Sequence, residues 1–160
     1  MNRQQKKLVA NVVIVTVFTV IVVVGFANIK DTINRSEAMR AMKLLGKEIL
    51  QYRKTYGSLP PEHYVKQFTD KIGAVRITDL HYRATWIEFG EEPTTTILAY
   101  SPKNYSGFVK AGYVVLWLNG KVEWIDKKQF EQTLDKQQKQ QELQWIQEHL
   151  QEGKDNSPQY

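Results

Sequence analysis

The stretch that decides the fold is LVANVVIVTVFTVIVVVGFANI, residues 8–29, which contains 22 residues and no charged side chain. At about 1.5 Å of rise per residue, a helix of this length spans roughly 33 Å, and the hydrocarbon core of a bilayer is about 30 Å thick. A helix in the core of a soluble protein seldom needs so long an apolar run. Residues 8–29 are therefore predicted to form a transmembrane helix.

The charges flanking this segment predict its orientation. No acidic residue precedes it, whereas Lys30 and Asp31 follow it with opposite signs. The preceding basic residues are Arg3, Lys6 and Lys7. By the positive-inside rule, residues 1–7 form a cytoplasmic basic tail, and the chain from residue 30 onward lies outside the cytoplasm.

A cleaved signal peptide is the competing interpretation of the same segment. Gly25, Phe26 and Ala27 form a small-x-small site, which would leave Asn28 as the new N-terminus. The apolar run before Gly25 is 17 residues long, whereas signal peptides usually carry about 7–15. The length favours a retained anchor, and either interpretation places the rest of the chain outside the cytoplasm.

Apolar residues continue at helical spacing beyond the membrane segment. They are Ile33, Met39, Met42, Leu45, Ile49, Tyr52 and Tyr56. Gly57 and the Pro60-Pro61 pair then end the pattern with typical helix-stop signals. One helix from about Lys6 to Tyr56 is predicted, and a break between Lys30 and Arg35 stays open as an alternative.

Residues 75–125 change to the pattern of short strands. The expected strands are Val75–Ile77 with Leu80–Tyr82, Trp86–Phe89, Thr94–Tyr100, Tyr113–Leu118 and Lys121–Ile125. Asn119-Gly120 lies between the last two, and this pair typically forms a type I′ hairpin turn with positive φ at both residues. Residues 101–107 are expected to form a loop.

The chain returns to helical composition after Asp126, which is a suitable N-cap residue. Residues 127–152 are rich in helix formers but carry an interrupted apolar stripe, and residues 136–141 are wholly polar. This helix is expected to dock only loosely, and residues 153–160 are expected to fray. The predicted class is α+β: a long N-terminal helix packed on a small antiparallel β-sheet, with a C-terminal helix. Residues 30–126 form its extracytoplasmic domain.

Composition excludes several classes of function. The chain has no cysteine, which excludes a disulfide scaffold, thiolate metal sites and a cysteine nucleophile. The net charge of +5 arises largely at the N-terminus, since after Ile29 there are 19 basic and 17 acidic residues. No nucleic-acid partner is expected from so small an excess.

No constellation of residues points to catalysis. The three histidines are not spaced as metal ligands are. The Glu91-Glu92 pair lies directly before Pro93, which is typical of a solvated turn and not of acid–base catalysis. The glycine-rich motifs of hydrolases, NTPases and dinucleotide-binding enzymes are absent from the sequence. We therefore assign no catalytic, cofactor-binding or metal-binding residue, and identify no small-molecule substrate. Among the aromatic residues, Trp117 is expected in the core or near lipid, and Trp124 on either a core or a partner-binding face.

The arrangement of segments resembles a known family. A basic N-terminal tail, a membrane helix that continues outward, the YRKTYGSLPP stretch at residues 52–61 and a small antiparallel sheet are similar to type IV pilin-like proteins, including type II secretion pseudopilins. Residues 79–82, 96–100 and 113–125 are similar to pilin-like proteins of the planctomycete type. The resemblance implies a subunit that assembles with other protein subunits at the membrane.

Two positions differ from the pilin-like pattern. Precursors in that family usually carry glycine before the membrane segment, where a prepilin peptidase cuts, and glutamate a few residues inside it. Here Lys7 precedes Leu8, and residues 8–24 contain no carboxylate. The chain therefore has no recognisable prepilin cleavage motif.

These patterns support two hypotheses about function. The first is a non-enzymatic, single-pass, pilin-like structural or assembly subunit of a secretion or cell-envelope complex. The second is a membrane-tethered extracytoplasmic binding module, or a secreted domain if residues 8–24 are cleaved as a signal peptide.

Overall fold

The computed structural model describes residues 2–73, 76–84, 87, 92–105 and 110–155, with the backbone alone for residues 144–155. These residues form three helices and four strands. In chain order they are α1 (Arg3–Tyr56), α2 (Glu62–Lys71), β1 (His81–Tyr82), β2 (Ile97–Lys103), β3 (Gly112–Trp117), β4 (Val122–Asp126) and α3 (Lys127–Asp155). The α+β class and the order of its parts agree with the prediction.

Helix α1 is continuous over 54 residues, a length of about 81 Å at 1.5 Å per residue. It begins after Asn2, whose side chain accepts a hydrogen bond from the Arg3 N–H, and ends at Gly57 with φ 76°. Glycine suits this left-handed position because it has no Cβ. The alternative with a break between residues 30 and 35 is not observed.

The four strands form an antiparallel sheet in the order β1-β2-β3-β4. Side chains alternate along β3, so that Val114 and Leu116 pack towards α1 whereas Val115 and Trp117 face α3. The α1 side of this core contains Met42, Leu45 and Ile49, all fully buried. A sheet covered on both faces needs apolar residues at every position, which explains the unbroken run VVLWL.

The first half of the sheet differs from the prediction. Only His81 and Tyr82 form β1, whereas Arg76 and Ile77 lie in irregular structure and Val75 lies outside the described residues. The expected strand at residues 86–89 lies outside them too, except Ile87, which is not in a strand.

Strand β2 is shifted along the chain. Residues 93–95 form a turn, and the strand runs from Ile97 to Lys103, through residues expected to be loop. Because β1 pairs only with Ala99 and Tyr100, β2 is an edge strand beyond that point. Pro102 therefore fits there without the loss of a ladder hydrogen bond.

The β3–β4 hairpin is confirmed, but its turn is not type I′. The only non-glycine residue with positive φ in the described part of the chain is Asp79, so Asn119 does not take that conformation. The Gly120 N–H donates to the Trp117 carbonyl (2.8 Å) and the Trp117 N–H donates to the Lys121 carbonyl (2.9 Å). This pattern is a three-residue loop with Gly120 in the left-handed position, φ 87°.

Helix α3 is docked more firmly than its composition suggested. Phe130 is buried against Tyr100 and Tyr113, and the polar residues Gln137 and Gln141 are buried as well. Gln137 Oε1 accepts hydrogen bonds from Arg83 Nη1 (3.1 Å) and from the Ile97 backbone N–H (3.2 Å). Gln141 Oε1 accepts from Arg83 Nη2 (2.7 Å). The expectation of loose docking is wrong, because polar side chains satisfy buried donors that an apolar stripe could not.

The Gln137 contacts predict a measurable loss of stability. Replacing Gln137 with leucine removes the acceptor for the buried Ile97 N–H and the donor to the Thr95 carbonyl. Each buried polar group left unsatisfied costs about 1–3 kcal/mol. We expect Gln137→Leu to lower the midpoint of chemical unfolding clearly. The exposed neighbour Gln138 is the control, and an equal loss from Gln138→Leu would contradict this role.

Candidate functional site

The most distinctive surface of the protein is the apolar half of α1. Its large hydrophobic side chains between Leu8 and Ile29 are all exposed, from 37% at Val22 to 70% at Phe26. Among the described helices, α1 is the one that is long and apolar enough to cross a membrane. Exposed apolar patches of this size mark surfaces that another phase or partner covers.

Polar residues within the apolar half bond to their own helix. The hydroxyls of Thr16 and Thr19 donate to the carbonyls of Val12 and Val15, at 2.8 Å each. Asn28 Nδ2 donates to the Val24 carbonyl at 3.1 Å. These bonds satisfy the donors without water, as an apolar surrounding requires.

The folded domain follows this segment without a linker. The apolar segment ends at Ile29, and Asp31 is already buried, with 7% of its surface exposed. In the sheet, Lys103 pairs with Gly112, and Gly112 pairs with Asp126. The end of β2 lines a groove together with residues of α1 between Lys30 and Glu37, and Trp124, two residues before the end of β4, contacts Arg35 of α1. We call this end of the sheet the lower end.

An aromatic cluster stabilises the lower end. The Arg35 guanidinium lies 4.5 Å from the centre of the Trp124 ring. The Tyr105 ring stacks near the same indole, with a centroid distance of 5.7 Å. A guanidinium over an indole face is a favourable cation–π arrangement, so this contact joins α1 to β4 and to the chain after β2.

The groove at the lower end contains charges of both signs. Arg76 Nε pairs with Glu37 Oε2 at 3.2 Å, and Lys103 Nζ donates to Thr78 Oγ1 at 3.2 Å. Burial lowers the pKa of Lys103, and the nearby Asp79 carboxylate partly offsets this shift. Lys30 and Asp31 complete the charged lining. No cluster of metal-ligating side chains occurs in the part of the chain that the structure describes.

The residues weighed for chemistry in the sequence do not converge. His63 and His81 are both exposed, and His81 stacks on Tyr100 with ring centroids 4.7 Å apart. The side chain of His149 and all of Glu91 lie outside the described residues, and Glu92 is exposed.

The two tryptophan side chains that the structure describes do not share one binding platform. Trp117 is 8% exposed and its indole N–H donates to Glu123 Oε2 at 2.8 Å, which confirms the predicted core position. Trp124 belongs to the opposite face of the sheet, against α1. Trp86 and the Trp145 side chain lie outside the described residues.

A row of basic side chains follows the outer face of α1 above the lower end. Arg40, Lys43, Lys47 and Lys54 are all exposed, and they recur at steps of three, four and seven, which places them on one face of the helix. None of them takes part in a salt bridge among the described residues. This spacing is present in the sequence, but the prediction for α1 relied on its apolar residues and left the basic ones unassigned.

Comparisons with family models, with curated proteins and with solved structures found no match. The architecture, a long N-terminal helix packed on a small antiparallel sheet, is loosely like a pilin fold.

Proposed function

We propose that the protein is a non-enzymatic, single-pass membrane protein with residues 1–7 in the cytoplasm and the domain after residue 29 outside the bacterial inner membrane. The observation that carries this proposal is the fully exposed apolar half of α1, which contains no charge. Crossing a bilayer covers this surface completely. The basic residues before Leu8 supply the expected cytoplasmic flank.

Within that setting, we propose a pilin-like structural or assembly role in a secretion or cell-envelope complex. The support is mechanical: α1 runs without a break from the apolar segment into the core of the ectodomain. A continuous helix fixes the position of the ectodomain relative to the segment in the membrane. Other membrane helices would then be its partners within the bilayer.

Sedimentation of gently solubilised membranes at native expression tests the assembly role. A subunit of an envelope complex is expected in a particle much larger than the 18.7 kDa chain. Recovery as a monomer alone would contradict the role. Intact mass, measured on the membrane and soluble fractions, distinguishes a chain that starts at Met1 from one that starts at Leu8 or Asn28. A chain that starts at Asn28 and is found in the soluble fraction would support a secreted domain.

A membrane-tethered binding module is the second candidate, and the basic row on α1 favours it. Packing two copies through Arg40, Lys43 and Lys47 would bring like charges together, and like-charge juxtaposition is unfavourable. An acidic protein partner suits this face better. Capture of such a partner that is lost in the charge-reversed Lys43→Glu, Lys47→Glu variant, with no large particle in sedimentation, would support this second candidate over the first.

A further inference from the structure

The lower end of the ectodomain carries an excess of basic side chains. Asp126 is the last residue of β4, so the first two residues of α3 lie at this end, and Lys110 precedes Gly112 of β3 by two residues. The basic residues there are Lys30, Arg35, Lys103, Lys110, Lys127 and Lys128, and the acidic ones in the described chain are Asp31, Asp79 and Asp126. Arg76 and Glu37 form an ion pair and together add no net charge.

Three exposed lysines of the lower end have few competing acids. Lys110, Lys127 and Lys128 are all exposed. Only Lys127 approaches an acidic side chain, at 3.9 Å from Glu131 Oε1. Surface pairs of this kind contribute little, about 0–1 kcal/mol, so the ammonium groups remain available to an anionic surface.

The aromatic rings of the lower end also suit the boundary between apolar and polar phases. Trp124 and Tyr105 are partly buried and stack on each other, and the Tyr105 hydroxyl is itself buried. Tryptophan and tyrosine are enriched at the level of lipid headgroups because their rings favour the boundary between apolar and polar phases.

The continuity of α1 sets the height of the lower end above the apolar segment. Arg35 lies six residues beyond Ile29, about 9 Å along the helix axis. The headgroup layer on each side of a bilayer is roughly 5–8 Å thick. Because no linker intervenes, the lower end begins within the headgroup layer at Lys30 and reaches the outer edge of that layer at Arg35 whenever residues 8–29 span the membrane.

We propose that the lower end of the ectodomain binds the anionic phospholipid headgroups of the leaflet that it faces, an inference that rests on the membrane anchoring proposed above. Lys110, Lys127 and Lys128 supply the cations that contact lipid phosphates. Trp124 and Tyr105 lie at the same level. The contact would fix the orientation of the sheet relative to the membrane, since it adds a second attachment beside α1.

Spin-labelled lipids in vesicles that contain the full-length protein test this inference. The vesicles combine phosphatidylcholine with phosphatidylglycerol, and the readout is the preference of the protein for labelled phosphatidylglycerol over labelled phosphatidylcholine. In the variant Lys110→Gln, Lys127→Gln, Lys128→Gln, we expect this preference to fall about threefold or more, because basic residues near an anionic surface each contribute to attraction.

A matched control has the same loss of charge further from the membrane. Lys43→Gln, Lys47→Gln, Lys54→Gln removes three exposed lysines from the outer face of α1, and we expect it to keep the parental lipid preference. An unchanged preference in the lower-end variant, or an equal fall in both variants, would overturn the inference while leaving the anchor intact. Failure of the parent protein to float with vesicles would instead overturn the anchoring, and the inference with it.

Discussion

Replacing Val17 and Ile21 with arginine is expected to remove the protein from the membrane fraction. Both side chains lie near the middle of the apolar half of α1, one turn apart, and both are more than half exposed. An arginine at the centre of a membrane helix costs about 2.5–3.5 kcal/mol on insertion scales. Two arginines therefore oppose insertion by about 5–7 kcal/mol. Flotation of membranes followed by detection of the protein in each fraction measures the result.

The control for this experiment changes the same positions without adding charge. Val17→Leu, Ile21→Leu keeps the segment apolar and is expected to float exactly as the parent does. A double-arginine variant that still floats with the membranes after an alkaline wash would show that residues 8–29 are not the anchor.

Leu45→Ala is expected to destabilise the folded domain strongly, because Leu45 is fully buried between α1 and the sheet. Truncation of a buried leucine to alanine typically costs about 2–5 kcal/mol, including the cavity left behind. We expect the thermal unfolding midpoint of the detergent-solubilised protein to drop by on the order of 10 °C. Near-ultraviolet circular dichroism reports this transition, since the tryptophans of the sheet dominate the signal.

The adjacent residue offers a close control. Leu44 is 49% exposed on the outer side of the same helix, so Leu44→Ala removes the same atoms without opening a cavity. Its midpoint is expected to stay near that of the parent. Similar drops for both variants would mean that α1 does not pack on the sheet through the Leu45 face.

The sequence predicted those elements that depend on local signals. Residues 8–29, the Gly57 stop, the β3–β4 hairpin and the start of α3 all carry patterns that act over a few residues. The conformation of the turn at Asn119 does not follow from the Asn-Gly pair itself. Its backbone N–H donates to the Pro93 carbonyl at 3.0 Å, and the Leu118 N–H donates to the Thr96 carbonyl at 2.9 Å. Distant residues thus hold the loop, and no local pattern encodes them.

The docking of α3 shows the same limit. The glutamines at 137 and 141 look like solvated helix formers in the sequence, and their role depends on Arg83, which lies 54 and 58 positions earlier in the chain. Likewise, the stripe expected along α1 was correct at Met42, Leu45 and Ile49, but Ile33 and Tyr56 are exposed. The buried residues of α1 lie between Asp31 and Ile49. How far the sheet covers the helix is a property of the tertiary structure.

The lower end was also hidden from sequence analysis. Lys103, Lys110 and Lys127 are scattered along the chain, and strand register brings them to one edge of the sheet, where α1 adds Arg35. The net charge of the whole domain is close to neutral, so its composition does not reveal this local excess of basic residues. The apolar segment, in contrast, is contiguous, and so it was predicted without any knowledge of the fold.

The central claim, that residues 8–29 cross the membrane with the ectodomain outside, is tested most directly by cysteine labelling in intact cells. The chain contains no cysteine, so single replacements at the exposed residues Lys6 and Lys66 give unambiguous signals. With a maleimide that cannot cross the inner membrane, Lys66→Cys is expected to react at once, and Lys6→Cys only after permeabilisation. Protection of both positions until the cells are permeabilised, or immediate reaction of both, would contradict the account.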